Sequence, residues 1–193
     1  MKVVIIEGPD NVGKTTVIDR LIHRFNNVHY IHFQKPVALD PIYAAIEQRD
    51  NFLHNVYSIV DNISNTDTQI VILDRSWLGE YVYGCKYRNN GEEYVLNMID
   101  NCYKILFDNA IECYTVILTV YNPEFCVQHE DGKSISSGKK EAIKDEIDRF
   151  ESLYNIYKNN NMVNISKIVV NDNLDFRPKN DIFNDVLTAI NEQ

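Results

Sequence analysis

Near the start of the chain, glycine, lysine and hydroxyl side chains occur at spacings that suit phosphate binding. Residues 8–16 read GPDNVGKTT, and the pattern G-x-x-x-x-G-K-[ST] is met by Gly8, Gly13, Lys14 and Thr15. Glycines allow backbone N–H groups to turn inward around phosphate oxygens, and a helix that follows adds its positive end. We expect Lys14 to reach the β- and γ-phosphates and Thr15 to bind Mg²⁺.

The neighbouring residues support this interpretation. A β-branched run at residues 3–6 predicts a buried strand, and apolar residues at helical spacing over residues 14–25 predict an amphipathic helix. This strand–loop–helix order is that of a P-loop, so ATP and Mg²⁺ are the predicted cofactors. The residues predicted to contact the nucleotide are Gly8, Asn11, Val12, Gly13, Lys14, Thr15 and Thr16.

A second block of candidate residues follows another predicted strand, residues 69–73. Asp74 ends that strand and Arg75 comes directly after it. In a parallel sheet, the carboxyl ends of the strands face the ligand crevice, so Asp74 could share Mg²⁺ with Thr15 and Arg75 could face a phosphate. The alternatives are a turn or helix-capping role for Asp74 and a solvated surface charge for Arg75.

The remaining elements must position these residues. Predicted strands and helices alternate along the chain, which indicates a parallel sheet with helices on both faces. We therefore predict an α/β fold, the three-layer P-loop NTPase type, with a five-stranded parallel sheet in a single domain, residues 1–193. A polar stretch at 123–140 is predicted to be a loop, with a short lid at about 127–140. The other predicted strands are 29–33, 115–120 and 166–170, and the helices are 42–63, 92–109, 141–157 and 179–191.

Composition narrows the class of protein. The chain has 193 residues, 45% of them hydrophobic and 24% charged, with a formal net charge of -9. The negative charge disfavours DNA as a partner, although a local basic groove would still permit it. The apolar run before Glu7 is too short to span a membrane, so we expect a cytoplasmic protein with no membrane partner. The cysteines form no CxxC pair and are expected to be buried thiols.

The two blocks together resemble a known family. Residues 8–16 look like the P-loop of thymidylate kinases, including the acid Asp10 inside the loop. Asp74-Arg75-Ser76 resembles their Asp-Arg-aromatic motif. The longer string at 74–84, with Tyr87-Arg88 beyond it, is similar to thymidylate-kinase-like deoxynucleoside monophosphate kinases of bacteriophages. These motifs cover only the two blocks, whereas the order of elements agrees over nearly the whole chain.

The resemblance implies roles for single residues. Asp10 would lie near the sugar 3'-hydroxyl of the acceptor nucleotide, Arg75 would clamp the acceptor phosphate, and Asp74 would orient a water on Mg²⁺. Arg88 would be a second phosphate clamp. Phe52 would stack on the base, although a purely structural role in the core fits it equally well. A homodimer is expected on the same basis.

One departure bears on the acceptor. Related deoxynucleoside kinases have a glutamate at the end of the second strand as the base for a hydroxyl, and this chain has Gln34 there. A phosphate oxygen is already anionic and needs no base. Gln34 therefore favours a monophosphate acceptor, dTMP by resemblance, although Glu7 and Asp10 remain possible bases. The alternative is a kinase acting on a hydroxyl of a nucleoside or of a modified pyrimidine in phage DNA.

The second departure is the lack of an arginine in the phosphate-binding loop and in the lid. Relatives often use such an arginine to neutralise charge in the transition state. Lys133 is the lid cation predicted to do so here, with a solvated loop lysine as the alternative. The missing arginine also keeps open a third hypothesis, a nucleotide-binding regulator without catalytic activity.

Overall fold

The central layer of the protein is a parallel sheet. The computed structural model describes residues 1–34, 36–37, 40–132, 134 and 138–191. The strands of this sheet are β1 (Lys2–Glu7), β2 (Val28–His32), β3 (Ile70–Asp74), β4 (Glu112–Thr119) and β5 (Asn164–Val169). They are all parallel and lie in the order β2-β3-β1-β4-β5. The predicted α/β fold with a five-stranded parallel sheet is therefore confirmed.

Helices cover both faces of this sheet. They are α1 (Lys14–Arg24), α2 (Pro41–Asp61), α3 (Cys85–Tyr87), α4 (Glu92–Asp108), α5 (Pro123–Gln128), α6 (Lys140–Tyr157) and α7 (Lys179–Ala189). A 3₁₀ turn, Ile63–Asn65, follows α2, and a π-helical turn, Glu80–Gly84, leads into α3. Within the described ranges, no helix has both the length and the apolar character needed to cross a bilayer.

The alternation of side chains along β1 divides the interior into two cores. Val3 and Ile5 face a core that contains residues of α2, α4 and α6, whereas Val4 and Ile6 face one built with α1, α5 and α7. All four side chains are completely buried. Burial on both faces explains why the β1 sequence is continuously apolar. Each of these side chains contributes about 2 kcal/mol of hydrophobic stabilisation.

The register of the strands brings three strand ends together. Ile6 of β1 is paired with Asp74 of β3, and His32 of β2 is paired with the same Asp74. Because the strands are parallel, the loops after β1, β2 and β3 all leave from one edge of the sheet. This edge is where ligands bind in open α/β sheets.

The polar stretch predicted as a loop at 123–140 is partly helical. The prediction is wrong for α5, where Pro123 occupies the first turn and Asn122 caps the helix. The Oδ1 atom of Asn122 accepts a hydrogen bond from the Phe125 amide at 3.1 Å, which satisfies a free N–H at the helix start. The rest of the described lid segment is irregular up to α6, which begins at Lys140.

The sequence interpretation also missed a small antiparallel hairpin after β5. It consists of β6, Asn171–Asp172, and β7, Asp175–Phe176. Asn173, in the turn, has a φ of 57°. Strands this short carry no periodic signal, and asparagine is among the few residues that tolerate such a backbone.

The four cysteines are free thiols, as expected. Cys102, Cys113 and Cys126 are buried, and Cys85 is half-buried. Burial raises the pKa of Cys102 to about 12, so this thiol stays protonated and unreactive at neutral pH.

A carboxyl group lies in the interior without a partner. Glu146 of α6 is completely buried, and neither of its carboxylate oxygens has a hydrogen-bond partner among the described residues. Burial, assisted by the nearby charge of Asp10, raises its pKa from 4.5 to about 7. The folded protein therefore holds a proton on Glu146 over a pH range in which the unfolded chain has released it.

We expect this carboxyl to make stability depend on pH. The contribution of Glu146 is fully present below pH 4.5, is lost as pH rises to about 7, and is constant above that. The full loss corresponds to about 3 kcal/mol. Glu146→Gln removes the ionisation, so the free energy of unfolding of this variant should decline less between pH 5 and pH 8, as measured by urea denaturation.

Glu141→Gln is the matched control, because Glu141 lies on the same helix and is exposed. Its pH profile should follow that of the wild type. Parallel profiles for the wild type and Glu146→Gln would contradict the assignment of a raised pKa to Glu146.

Candidate active site

The loop between β1 and α1 has the backbone that its sequence predicts. Gly8 has a φ of 139°, and a Cβ there would lie 2.1 Å from the carbonyl oxygen of Leu118. Gly13, with a φ of 82°, directly precedes α1. Any side chain at Gly8 would collide with β4, so the first glycine of the motif is required by packing as well as by conformation.

Lys14 is held inside this loop. It is 8% exposed, and its Nζ donates to the carbonyl oxygens of Gly8 at 2.9 Å and Pro9 at 2.6 Å. The same Nζ lies 3.8 Å from Oδ1 of Asp10. Burial, reinforced by the charge of Arg75, lowers the pKa of Lys14. The two carbonyl oxygens accept hydrogen bonds from the ammonium group of Lys14, as phosphate oxygens could.

Arg75 has an unusual backbone for a residue with a side chain. Its φ is 68°, in the left-handed region, directly after β3. Its amide donates to the carbonyl oxygen of Ile6 at 3.3 Å, and its Nη2 donates to Oδ1 of Asp10 at 2.8 Å. Strained backbone of this kind concentrates at functional sites. The ion pair between Arg75 and Asp10 joins the two sequence blocks. The alternative, in which Arg75 is a solvated surface charge, is therefore wrong.

The carboxylate of Asp74 is held by two side chains of β2. Its Oδ2 accepts hydrogen bonds from the hydroxyl of Tyr30 at 3.0 Å and from Nδ1 of His32 at 2.8 Å. Tyr30 and His32 are two residues apart on one strand, so both project from the same face of the sheet. The hydrogen bond requires the proton on Nδ1 of His32. Sequence reasoning missed both residues, because only the strand register shows that they meet Asp74.

Thr15 and Asp74 are the predicted Mg²⁺ ligands. Thr15 is exposed at the start of α1, and the negative charge of Asp74 slightly opposes the lowering of the Lys14 pKa, so Asp74 lies near the loop. In the described part of the chain, no group of three or more His, Cys, Asp or Glu side chains could hold a metal unaided. Mg²⁺ is commonly held by one or two protein groups together with phosphate oxygens. The residues present therefore fit Mg²⁺ that is bound jointly with phosphates.

Two pockets meet at this edge of the sheet. The first, here the loop cleft, is an open space of about 990 Å³. Most of the residues predicted to bind the nucleotide line it, whereas Gly8 and Val12 pack beneath. The lining residues predicted from the sequence are Asp10, Asn11, Gly13, Lys14, Thr15, Thr16 and Arg75.

The second pocket, here the inner pocket, is a space of about 450 Å³ that includes its mouth, which is open to solvent. It is bordered by Glu7 and Arg75 on the sheet side, and by Phe33, Tyr83 and Arg88 on the others. Arg75 lines both pockets. The inner pocket therefore adjoins the loop cleft at a guanidinium group, which is the side chain best suited to hold a phosphate between them.

Glu7 is a buried acid in the wall of the inner pocket. It is completely buried, and its Oε1 accepts a hydrogen bond from Oγ of Ser76 at 2.9 Å. Its Oε2 has no hydrogen-bond partner among the described residues. Burial raises the pKa of Glu7 to about 7, against the opposing charges of Arg75 and Lys14. This carboxyl can exchange a proton near neutral pH.

Arg88 is fixed on the far side of the inner pocket. Its Nη2 forms an ion pair with the buried Glu80, and Nδ2 of Asn90 donates to the same carboxylate at 3.2 Å. A Cβ at Gly84 would lie 2.3 Å from Oε2 of Glu80, so glycine leaves room for this carboxylate. The π-helical turn thus holds Arg88 at the pocket.

Comparison with known proteins supports the same kind of architecture. No family model and no curated protein matches the sequence. The thymidylate kinase of Candida albicans superimposes with a TM-score of 0.61 at 14% identity, over 98% of this chain and 91% of that one. The thymidylate kinase of Ehrlichia chaffeensis gives 0.56 at 15% identity, over 98% of both chains. The chain has the thymidylate kinase fold. At such identity the likeness concerns the fold alone.

Within the thymidylate kinase fold, the predicted base-stacking residue lies one layer behind the inner pocket. Phe52 is 1% exposed and packs edge to face against Phe33, with ring centroids 5.0 Å apart. Phe33 itself lines the inner pocket, as does Gln48, one turn before Phe52 on α2. Phe33 was not identified as a pocket residue from the sequence, because it was interpreted as the last apolar residue of a predicted strand.

The lid segment contributes contacts that the sequence did not indicate. Nδ2 of Asn11 donates to Oε2 of Glu130 at 3.1 Å, which joins the loop at residues 8–16 to the lid segment. The ring of His129 packs against both Phe125 and Phe176, which also contact each other, with its centroid 4.3 Å from that of Phe125 and 5.1 Å from that of Phe176. Lys133, the predicted lid cation, lies outside the described residues.

A substitution at Gly8 tests the packing of the loop against β4. We expect Gly8→Ala to lower the free energy of unfolding by at least about 3 kcal/mol, because the new methyl group meets a backbone carbonyl and the φ of 139° is unfavourable. Urea denaturation measures the change. Gly91→Ala is the control, since a Cβ there meets nothing within 4 Å and should change stability by less than about 1 kcal/mol. A similar effect of both substitutions would contradict this account.

Proposed function

We propose that this protein is a nucleoside monophosphate kinase that transfers the γ-phosphoryl group of ATP to dTMP. The observation that carries the proposal is the position of Arg75, in the wall shared by the loop cleft and the inner pocket. A donor in the cleft and an acceptor in the pocket would then have their phosphates on either side of one guanidinium group. An acceptor phosphate oxygen attacks the γ-phosphorus, the bond to the β–γ bridging oxygen breaks, and ADP leaves.

The donor phosphates would lie on the loop and the first turn of α1. Lys14 would exchange its bonds to the Gly8 and Pro9 carbonyl groups for bonds to phosphate oxygens. Thr15 and Asp74 would hold Mg²⁺, which when bound neutralises charge on the triphosphate. Arg75 and Lys14 would neutralise the charge on the transferring group, which is the main contribution a protein makes to phosphoryl transfer.

The adenine ring would lie beside Phe176 of the β6–β7 hairpin. Phe176 lines the loop cleft and also an adjoining apolar groove that is bordered by Val17 and Ile182. The ring of Phe176 packs edge to face on Phe125, which holds it in place at 4.6 Å. An aromatic wall and an apolar groove next to a phosphate loop suit a purine base.

The acceptor would occupy the inner pocket with its phosphate at Arg75 and Arg88. Phe33, supported by Phe52, offers an aromatic wall for the base. Asp10 would accept a hydrogen bond from the sugar 3'-hydroxyl. The phosphate is ionised near neutral pH, so no protein base is required.

We make three further proposals, on the lid, on the partner and on the location of the protein. Lys133 would supply the lid cation. A second copy of the chain would be the protein partner, which is supported by exposed apolar side chains of α2, including Ile42 and Tyr43 at 71% and 67% exposure. The reaction would take place in the cytoplasm, that of the host cell if the chain is phage-encoded.

Phosphorylation of a hydroxyl is the second candidate function. The observation that favours it is Glu7, whose pKa of about 7 and whose Oε2, without a partner among the described residues, suit a general base in the inner pocket. The proton of the hydroxyl would pass to Glu7 while the oxygen attacks the γ-phosphorus. Thymidine and DNA containing modified pyrimidines are the acceptors that this candidate predicts.

Removing Lys14 tests the role of the loop. We expect Lys14→Ala to lower kcat for dTMP with Mg-ATP by at least about 100-fold, because the variant loses a cation that acts on the transferring group. ADP formation measures the rate. Lys104→Ala is the control, since Lys104 is an exposed residue of α4 paired with Asp108, and it should keep wild-type kcat. Undiminished turnover by Lys14→Ala would overturn the mechanism.

Glu7 separates the two candidate functions. If dTMP is the acceptor, Glu7→Gln should lower kcat by less than about tenfold, because a phosphate nucleophile needs no base. If a hydroxyl is the acceptor, the loss should be about 100-fold or more. The screen should include all four deoxynucleoside monophosphates, since the Candida albicans enzyme is described as having broad substrate specificity. Phosphorylated thymidine or DNA without dTDP would refute the first proposal.

A further inference from the structure

The only tryptophan of the chain lies in the core with two tyrosines next to it. Trp77 and Tyr103 of α4 pack edge to face, with ring centroids 5.6 Å apart. Tyr103 packs in a similar way against Tyr157 of α6, with centroids 5.5 Å apart. Trp77 and Tyr103 are completely buried, and Tyr157 is 1% exposed. The three rings form a continuous row, here the aromatic row, that contains no water-filled gap wide enough to separate them.

The polar atoms of the aromatic row differ in what can receive their protons. Nε1 of Trp77 has no hydrogen-bond partner among the described residues. The hydroxyl of Tyr103 shares a hydrogen bond of 3.0 Å with Oγ1 of Thr115, and a hydroxyl group is a very weak base. The hydroxyl of Tyr157 donates at 2.7 Å to Oδ1 of Asp100, which is an exposed residue of α4. The proton acceptor therefore becomes stronger from Trp77 to Tyr157.

This order determines where an electron vacancy in the aromatic row would come to rest. An oxidised indole that cannot release its proton stays a cation radical, and this species is a strong oxidant. A phenol gives up an electron most readily when a base receives its proton in the same step. Since rings in contact exchange electrons easily, a vacancy formed on Trp77 would pass through Tyr103 and be trapped on Tyr157.

We propose that the aromatic row conducts oxidising equivalents from the interior of the protein to its surface at Asp100. A one-electron oxidising radical takes an electron from Trp77 and becomes an anion. Tyr157 then supplies an electron to Trp77 through Tyr103, and its phenolic proton passes to Asp100. The products are a neutral tyrosyl radical and a protonated carboxyl group. Nothing in this route requires a bound nucleotide, so it is independent of the proposed kinase reaction.

The position of Trp77 gives this route a protective role. Its neighbour Ser76 lines the inner pocket and donates a hydrogen bond to Glu7, so oxidative damage at Trp77 would disturb the candidate active site. The thiol of Cys102 lies in the same core and is a poor competitor for the vacancy. Burial raises the pKa of Cys102 to about 12, and a protonated thiol gives up an electron less readily than a thiolate.

Laser flash photolysis tests the route, because the chain has a single tryptophan. A pulse at the long-wavelength edge of the protein absorption excites indole and not phenol, and hexaamminecobalt(III) in the buffer captures the ejected electron. The tryptophan and tyrosine radicals have separate absorption bands. In the wild-type protein, we expect the tryptophan-radical band to decay while the tyrosine-radical band grows, at a rate that is independent of protein concentration.

Isosteric variants identify the members of the route. Tyr103→Phe and Tyr157→Phe keep the ring packing and remove one phenol each, so the growth of the tyrosine-radical band should be lost in both. Asp100→Asn keeps an acceptor for the Tyr157 hydroxyl but cannot take up its proton, and the growth should be lost there as well. Tyr57→Phe is the control and should behave as the wild type, because Tyr57 is a residue of α2 that is 51% exposed.

The wild-type trace decides the matter even if one of the variants does not fold. Decay of the tryptophan radical without growth of a tyrosine radical would overturn the proposal. Growth that continues unchanged in Tyr103→Phe or in Tyr157→Phe would also overturn it. Unchanged growth in Asp100→Asn would refute the assignment of Asp100 as the proton acceptor, and with it the direction of the route.

Discussion

The parallel pairing of β1 with β3 decides where the charged groups of the site lie. Ile6 is opposite Asp74, so the residues that follow the two strands leave the sheet side by side. Asp10 and Arg75, which are far apart in the sequence, therefore meet at 2.8 Å. A shift of one residue in this register would turn the side chains of a strand to the opposite faces. The charged groups of the site would then be separated, so the site depends on this register.

The charges gathered at the edge of the sheet compensate for one another only in part. Burial raises the pKa of both Glu7 and Glu146 to about 7, and it lowers the pKa of Lys14. The protein thus keeps acids and bases in a region where each charged form is costly. Phosphate oxygens would satisfy Lys14 and Arg75 better than the present carbonyl and carboxylate partners do, because they carry more charge. The arrangement is that of a site whose electrostatic balance is completed by its ligand.

The sequence predicted those parts of the molecule that follow from local rules. The loop at residues 8–16 could be inferred from a motif, and the all-parallel sheet from apolar runs and the alternation of strands with helices. Side chains that meet through strand register could not, since Tyr30 and His32 look like ordinary residues of an edge strand. Phe33 and Gln48 were missed for a related reason, because they line a pocket formed by elements that are distant in sequence.

Gly8 connects the binding loop to the framework of the protein. A Cβ at Gly8 would lie 2.1 Å from the Leu118 carbonyl oxygen, so β4 packs directly beneath the loop. The pairing of β1 with β4 brings Glu7 opposite Ile117, next to this contact. Any substitution that loosens the centre of the sheet would therefore also displace the loop amides that we propose to bind the phosphates. If the proposed function holds, nucleotide affinity could not be adjusted through this loop independently of the core, and changes in affinity would arise more readily in the lid and the hairpin.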